Sequence, residues 1–440
     1  MYFALRALYR TTESCVLVNG VKTEWFNTIQ GVRQGDSLSP SLFNIFINDL
    51  ASEISDLNLG VQIGDENVSI LMYADDVVIL SENVENMQTM INYVNQWCTK
   101  WKMKINLKKS KIMHFRKEGK VRSDTEIHLG PDIMQYVSEY KYLGVYLDEY
   151  LNFYHHAKII SESGSRALGA LIAKYKSSKY MGYSTFTKCY DTCILPVLNY
   201  GAEIWGYSSE TKTVLVQNKA MRVFLGVNQR TPNIGMIGDL GWIPHSITKS
   251  ICMLNYWNRI VKMDDTRLTK RVFNIDFKTK GKWCKSVKSI FKSIDMLDLY
   301  NNKIKCDIKQ CKKKLLSNFK NRWSKDVLKK PKLRTYCTFK SDYSIESYIT
   351  MNLTQQERSI LAQFRLGTLP LEIELGRFIN KKVEERICKL CDNDVEDEKH
   401  FLFECQLYQQ DRDIFFTALN IDSNEECSVN IRKLPCQPYW

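Results

Sequence analysis

The chain has 440 residues, 44% of them hydrophobic and 25% charged, which excludes an intrinsically disordered polypeptide and allows two or three domains with ordinary cores. Its formal charge of +13 is concentrated, because residues 251 to 340 carry 25 Lys and Arg against 7 Asp and Glu, leaving the rest of the chain net acidic. Such a block points to a polyanionic partner, since each cation placed beside a phosphate releases condensed counterions; solvated helix faces are the plainer explanation of the same residues.

Met1-Tyr2-Phe3-Ala4-Leu5-Arg6-Ala7-Leu8-Tyr9 is apolar but short and is interrupted by Arg6, which predicts half of an amphipathic helix and no cleavable leader. No stretch reaches the roughly 20 apolar residues of a membrane-spanning helix, so no membrane partner is expected. The 14 cysteines then read as thiols of a reducing, intracellular compartment, nuclear or cytoplasmic. Residues 1–148 alternate strand-like runs (15–18, 70–73 and 77–80) with helical stretches, the pattern of an α+β domain.

Within that region Gly31-Val32-Arg33-Gln34-Gly35-Asp36-Ser37-Leu38-Ser39-Pro40 reads as a polar loop feeding a helix, with Ser39 as N-cap and Pro40 in the first turn. Leu42, Phe43, Phe46, Ile47, Leu50 and Ile54 fall on one face of that helix. Gly35 would let backbone approach a ligand closely, while Arg33 and Gln34 can hydrogen-bond a nucleotide or a template phosphate. An ordinary loop before an amphipathic helix would look the same.

Two apolar runs, Ile70-Leu71-Met72-Tyr73 and Val77-Val78-Ile79-Leu80, flank Ala74-Asp75-Asp76 and predict a buried hairpin with two carboxylates at its tip. Buried carboxylates are costly unless compensated, and a divalent cation is the usual compensator. Two-metal phosphoryl transfer needs carboxylates on a rigid support that clamp Mg²⁺ ions about 4 Å apart. An Asp-Asp pair is also a common turn.

Residues 149–250 are expected to be mostly helical. His155 and His156 are adjacent, point in different directions on a helix, and are placed at the surface or at a helix start. Cys189 and Cys193, four apart in an apolar stretch, are expected to pack in a core. Residues 251–385 form a basic helical segment with Trp257, Phe273, Phe277, Trp283, Phe291, Phe319 and Trp323 interleaved; most of these rings should be core, with a few left to stack on bases. Residues 386–410 carry Cys388, Cys391, His400 and Cys405, three thiolates and an imidazole, the ligand set of a closed tetrahedral Zn²⁺ site. Residues 411–440 read as a tail.

On these residues the sequence resembles the reverse transcriptases of non-LTR (LINE-type) retrotransposons. Gly31-Val32-Arg33-Gln34-Gly35-Asp36, running to Asn48-Asp49-Leu50, is similar to the segment that contacts nucleotide and template, and Tyr73-Ala74-Asp75-Asp76 to the metal-binding box. Asn106-Leu107-Lys108-Lys109-Ser110-Lys111 resembles the next palm motif, which implies Lys109 near the nucleotide phosphates, and Tyr142-Leu143-Gly144-Val145 resembles the primer grip. Leu195-Pro196-Val197-Leu198-Asn199-Tyr200-Gly201-Ala202-Glu203-Ile204-Trp205 and Lys219-Ala220-Met221-Arg222 are similar to thumb helices. The resemblance implies a partial right-hand polymerase, an α+β palm followed by a helical thumb and a C-terminal zinc knuckle. It implies Asp75 and Asp76 as catalytic Mg²⁺ ligands, an RNA template, a DNA primer or target and deoxynucleotides.

In the family, a further palm strand carrying another metal-bridging aspartate precedes this region, and Met1 to Arg10 resembles the helix that follows it. Mg²⁺ tolerates little loss of its octahedral oxygen ligands, and Asp36 and Asp49 lie on no matching strand. The expectation is therefore low or absent polymerase activity for this polypeptide alone. The alternative is a non-catalytic RNA- or DNA-binding remnant that uses the basic segment and the knuckle.

Overall fold

The computed structural model describes residues 2–28, 31–178, 181–208 and 212–418, so residues 419–440 of the expected tail lie outside the described residues. The chain divides into two compact units, Met1–Ser138 and Glu139–Trp440. Helices with small antiparallel sheets make a mixed α+β architecture of the kind expected for a polymerase.

The first unit opens with α1 (Tyr2–Tyr9), then β1 (Glu13–Ser14), β2 (Leu17–Val18), β3 (Val21–Lys22) and β4 (Phe26–Asn27), nested so that β2 pairs with β3 inside the β1–β4 pair. α2 (Ser39–Asp56) has Pro40 in its first turn as expected, but Leu38, not Ser39, is the N-cap. The Ser39 hydroxyl instead donates to the Arg33 carbonyl at 2.6 Å, so it ties the preceding loop down and cannot cap the helix. β5 (Val61–Ile63) pairs with β6 (Glu66–Val68), and β7 (Ile70–Tyr73) with β8 (Asp76–Ile79). α3 (Val84–Lys100) starts at Asn83, whose side-chain oxygen accepts from the Asn86 amide at 2.8 Å.

The apolar periodicity of α2 decides its packing. Ile47, Leu50 and Ile54 are buried against Met90, Val94, Trp97 and Cys98 of α3, while Phe43, Phe46, Ile70, Met72 and Ile79 close over them. β9 (His128–Leu129) and β10 (Asp132–Ile133) cover a smaller core of Ile91, Ile112, Ile127 and Leu129.

The second unit begins with the hairpin β11 (Glu139–Tyr142) and β12 (Val145–Asp148) and continues as α4 (Tyr154–Ser177) and α5 (Tyr183–Cys189). After α5 the helix widens into a π turn over Tyr190–Ile194, in which the Leu195 amide bonds to the Tyr190 carbonyl, before α6 (Leu195–Leu198) resumes. Pro196 has no N–H to complete the regular ladder there, which is why the helix changes pitch. α7 (Ala202–Trp205), α8 (Lys212–Leu225), α9 (Asn233–Leu240) and α10 (His245–Val261) follow. The basic stretch then forms α11 (Leu268–Thr279), α12 (Lys282–Ser293), α13 (Leu297–Asn301) and α14 (Ile308–Leu328). α15 (Tyr336–Phe339), α16 (Ser347–Thr350), α17 (Gln355–Arg365), α18 (Glu372–Phe378) and α19 (Gln409–Ala418) complete the unit.

Two cores hold these helices. α4, α8 and α9 share the larger one, while Met253, Leu254, Trp257 and Ile260 of α10 found the second with Phe273, Val287 and Phe291. α14 serves both, Cys311 in the second and Trp323 and Val327 in the first. Trp257, Phe273, Phe291 and Trp323 are buried, and Phe277, Trp283 and Phe319 are half-buried and pack against the cores, so most of the seven rings build the interior. Lys282, Lys285, Lys288 and Lys292 of α12 face outward.

Candidate metal and nucleic-acid site residues

The β7–β8 hairpin forms in the expected place, with Tyr73 opposite Asp76 and Ala74 at φ 52° turning the chain. It is not buried at its tip. Ile70, Met72 and Ile79 rest on the α2–α3 core, but Tyr73 is 65% exposed and Asp75 and Asp76 are both exposed. Alternation along a strand gives the reason: one face meets the core, and the face carrying Leu71, Tyr73 and Asp76 has no covering element among the described residues. Likewise among the described residues, neither Asp36 nor Asp49 joins Asp75 and Asp76 in a convergent group of three or more potential ligands.

In the 31–40 loop the three candidates have different environments. The Arg33 guanidinium donates to Thr12 Oγ1 and to the Leu8 carbonyl and lies 5.3 Å from the centre of the Tyr9 ring, so it locks the loop onto α1. Gln34 is exposed. Gly35 has φ +84°, and a Cβ there would meet nothing within 4 Å, so its glycine answers a backbone demand and leaves open space beside it. Asn106 accepts from the amides of Lys108 and Lys109, an Asx turn that presents Lys109 at the surface.

In the second unit, two stretches recognised separately in the sequence meet. The Tyr200 hydroxyl donates to the Leu143 carbonyl at 2.8 Å, and its ring lies where any Cβ on Gly144 (φ +83°) would sit, 2.5 Å away. His155 sits at the start of α4 with Glu139 at 3.1 Å, whereas His156 is fully buried, accepts from the Tyr146 amide and packs edge-on against Trp205. Burial pushes the His156 pKa down. Cys189 packs against the larger core as expected, but Cys193 is exposed, because the π turn rotates it away.

Cys388, Cys391, His400 and Cys405 do converge: their ligand atoms all lie within 4.8 Å of one another. Arg386 to Asp392 forms a tight knuckle, in which the Cys388 amide donates to the Asp394 carbonyl, the Asp392 amide donates back to Cys388, and Asp392 takes φ 52°. Asp397 caps the turn bearing His400 through the Lys399 and His400 amides, and the Cys405 amide closes on the His400 carbonyl. Amides of Asn393 and Asp394, with help from Cys388 and His400, bring the Cys391 thiol down to about 7, while burial pushes Cys388 up. Cys391 Sγ and His400 Nε2 are 3.3 Å apart. Three soft thiols and an imidazole at such separations fit a tetrahedral metal.

The sequence reading missed two ionic clusters. Arg365, 2% exposed, makes a two-pronged pair with the fully buried Asp239 at 3.0 and 3.1 Å, and reaches Glu346 at 2.9 Å; Tyr348 donates to Asp239 at 2.7 Å. Arg334 links Glu374 to the buried Glu398, which anchors the cysteine-bearing module to the helices before it. The partners lie far apart in sequence, and only the apolar context of Asp239 could have hinted at burial.

Among the described residues no helix is long and apolar enough to cross a membrane. Residues 2–147 match the family profile described as reverse transcriptase (RNA-dependent DNA polymerase). The chain is 23% identical over 235 residues to the RNA-directed DNA polymerase from mobile element jockey of Drosophila melanogaster, an alignment covering 51% of this chain and 25% of that protein. It is 27% identical over 202 residues to the probable RNA-directed DNA polymerase from transposon BS of the same fly, covering 44% and 22%. Against the Pol polyprotein from type-1 retrotransposable element R2 of Nasonia vitripennis it is 28% identical over 151 residues, covering 32% and 15%. The chain thus spans a quarter or less of these relatives. The Tyr73-Ala74-Asp75-Asp76 hairpin lies inside the matched residues, so this part of the chain is similar to the reverse transcriptases of non-LTR retrotransposons.

Proposed function

We propose that this chain supplies the metal-binding hairpin, thumb and C-terminal module of an RNA-directed DNA polymerase that copies an RNA template from a DNA primer. The observation that carries the reading is the pair Asp75 and Asp76 at the tip of the β7–β8 hairpin, inside the residues matching the reverse transcriptase family. Their exposed carboxylates suit hard Mg²⁺ ions, which would activate the primer hydroxyl and stabilise the departing pyrophosphate. Gln34 and Gly35 border the nucleotide and template, Arg33 holds that loop against α1, and Lys109 lies toward the nucleotide phosphates. α4 and α8 form the thumb, and Cys388, Cys391, His400 and Cys405 hold Zn²⁺.

Because no third acid joins Asp75 and Asp76 among the described residues, these residues by themselves bind the metal pair weakly and extend primers poorly. That observation favours a second reading, a nucleic-acid-binding remnant in which the exposed lysines of α12 and the cysteine-bearing module carry the affinity. Both readings require binding to an RNA template annealed to a DNA primer, measured by fluorescence anisotropy across a salt series. The expected plot of log affinity against log salt falls steeply; undetectable or salt-independent binding would overturn both.

A further inference from the structure

Beside the cysteine-bearing module, the end of α18 and the turn after it form a shallow, open concavity of about 430 Å³ lined by Arg377, Asn380, Lys381, Val383 and Arg386. Three of these five residues are cations. Arg386 is 8% exposed, and its guanidinium meets carbonyls alone: Nη1 donates to Ile373 at 2.8 Å, while Nε and Nη2 donate to Lys381 at 3.2 and 2.8 Å. Among the described residues no carboxylate lies within 4.0 Å of Arg386 or of the Lys381 ammonium. Arg377 does touch Glu374, at 3.2 Å, but the same carboxylate also serves Lys332 and Arg334 at 3.2 and 3.3 Å.

A desolvated guanidinium paired only with neutral acceptors keeps most of its charge uncompensated, and an anion entering the concavity would offset that cost. These cations also complement the carbonyls at the C-terminal end of α18, which accounts for where they sit. It does not account for the concavity, or for the space kept for Arg386: a Cβ on Gly376 would lie 2.6 Å from Arg386 Cγ. The backbone is therefore shaped around this side chain. Arg386 also stands two residues before Cys388, next to the strand-like bridge between Ile387 and Val395, and its carbonyl accepts from the Glu396 amide at 3.0 Å, so the concavity and the module are parts of one local structure.

The geometry points to a phosphate-binding site in which Arg377, Lys381 and Arg386 hold one backbone phosphate of a nucleic-acid strand engaged by the module. The inference rests on the nucleic-acid reading above and adds to it a specific contact. Arginine suits the role because its planar fork matches phosphate oxygens, and Asn380 can donate to a third.

The test uses the full zinc-loaded chain. Lysine acylation footprinting by mass spectrometry, with and without a short single-stranded RNA and separately with inorganic phosphate, should show Lys381 protected by the RNA. In parallel, Arg377→Gln with Lys381→Gln should weaken RNA binding and flatten its log–log salt dependence by about 0.7, the amount expected for one phosphate contact to a single strand, with zinc content unchanged. RNA binding without protection of Lys381, and with an unaltered salt slope in the double variant, would overturn the site while leaving the nucleic-acid reading intact. Protection by inorganic phosphate but not by RNA would make it a free-phosphate site and overturn the assignment. A chain that binds no RNA at all would remove both this site and the reading beneath it.

Discussion

The β7–β8 hairpin and the cysteine-bearing module are both candidate metal centres, yet they handle their donor atoms in opposite ways. At the hairpin two adjacent carboxylates stand exposed at the end of a two-stranded sheet, and no third acid converges on them among the described residues. In the module four donors from two turns lie within 4.8 Å of one another, with Cys388, His400 and Cys405 buried. The contrast is between donors held open to solvent and donors closed on themselves. An open site exchanges its ion with the reaction, whereas a closed one makes metal binding part of folding.

The largest expected effect breaks this comparison most sharply. Structural zinc binds such sites with apparent free energies of about 10–16 kcal/mol, so a strong chelator should release amide-exchange protection across residues 388–405. Mg²⁺ removal should leave the exchange of the β7–β8 hairpin unchanged, because its carboxylates are already solvated. If the module keeps its protection without metal, its four donors are held by packing alone.

A second test compares a buried ion pair with these candidate metal sites. Asp239→Ala strands the guanidinium of Arg365 and should destabilise the second unit by about 3–5 kcal/mol in urea unfolding. A loss under 1 kcal/mol would mean that Glu346 alone satisfies Arg365.

Next comes pH. His245 is buried with Nε2 at 2.9 Å from Asn199 Oδ1, and burial, reinforced by Lys249, lowers its pKa to about 4. The unfolded chain takes up a proton near the ordinary value of about 6.5. Between those two values the unfolded state therefore binds more protons. Stability is full above about 6.5 and declines as pH falls toward 4, by about 2 kcal/mol at pH 5. His245→Gln should flatten that part of the stability profile of the second unit, and an unchanged slope would assign the pH dependence elsewhere. The smallest effect lies in the first unit, where Asn83→Ala removes the α3 cap and should cost about 1 kcal/mol, read as a lower unfolding midpoint.

What could be read from the sequence follows the range over which the physics acts. The hairpin was legible because two apolar runs and a short turn are local, and the Cys388, Cys391, His400 and Cys405 set because ligand chemistry restricts spacing. The exposure of Asp75 and Asp76 was not legible, since it depends on what covers one face of the hairpin and not on the hairpin itself. Nor was the seat of Tyr200 against Gly144, 56 residues away, or the burial of His156, which a neighbouring exposed-looking His155 disguised. Ser39 shows the same limit at short range. Its type and its place before Pro40 suit a cap, but the Arg33 carbonyl competes for its hydroxyl and wins.

The most direct test of the polymerase reading is RNA-templated primer extension with the purified chain and Mg²⁺, beside an Asp75→Ala, Asp76→Ala double variant. The expected result is weak extension that disappears in the variant while salt-sensitive RNA binding stays the same in both. Extension that survives the loss of both carboxylates would contradict the assignment of Asp75 and Asp76 as the metal-binding pair.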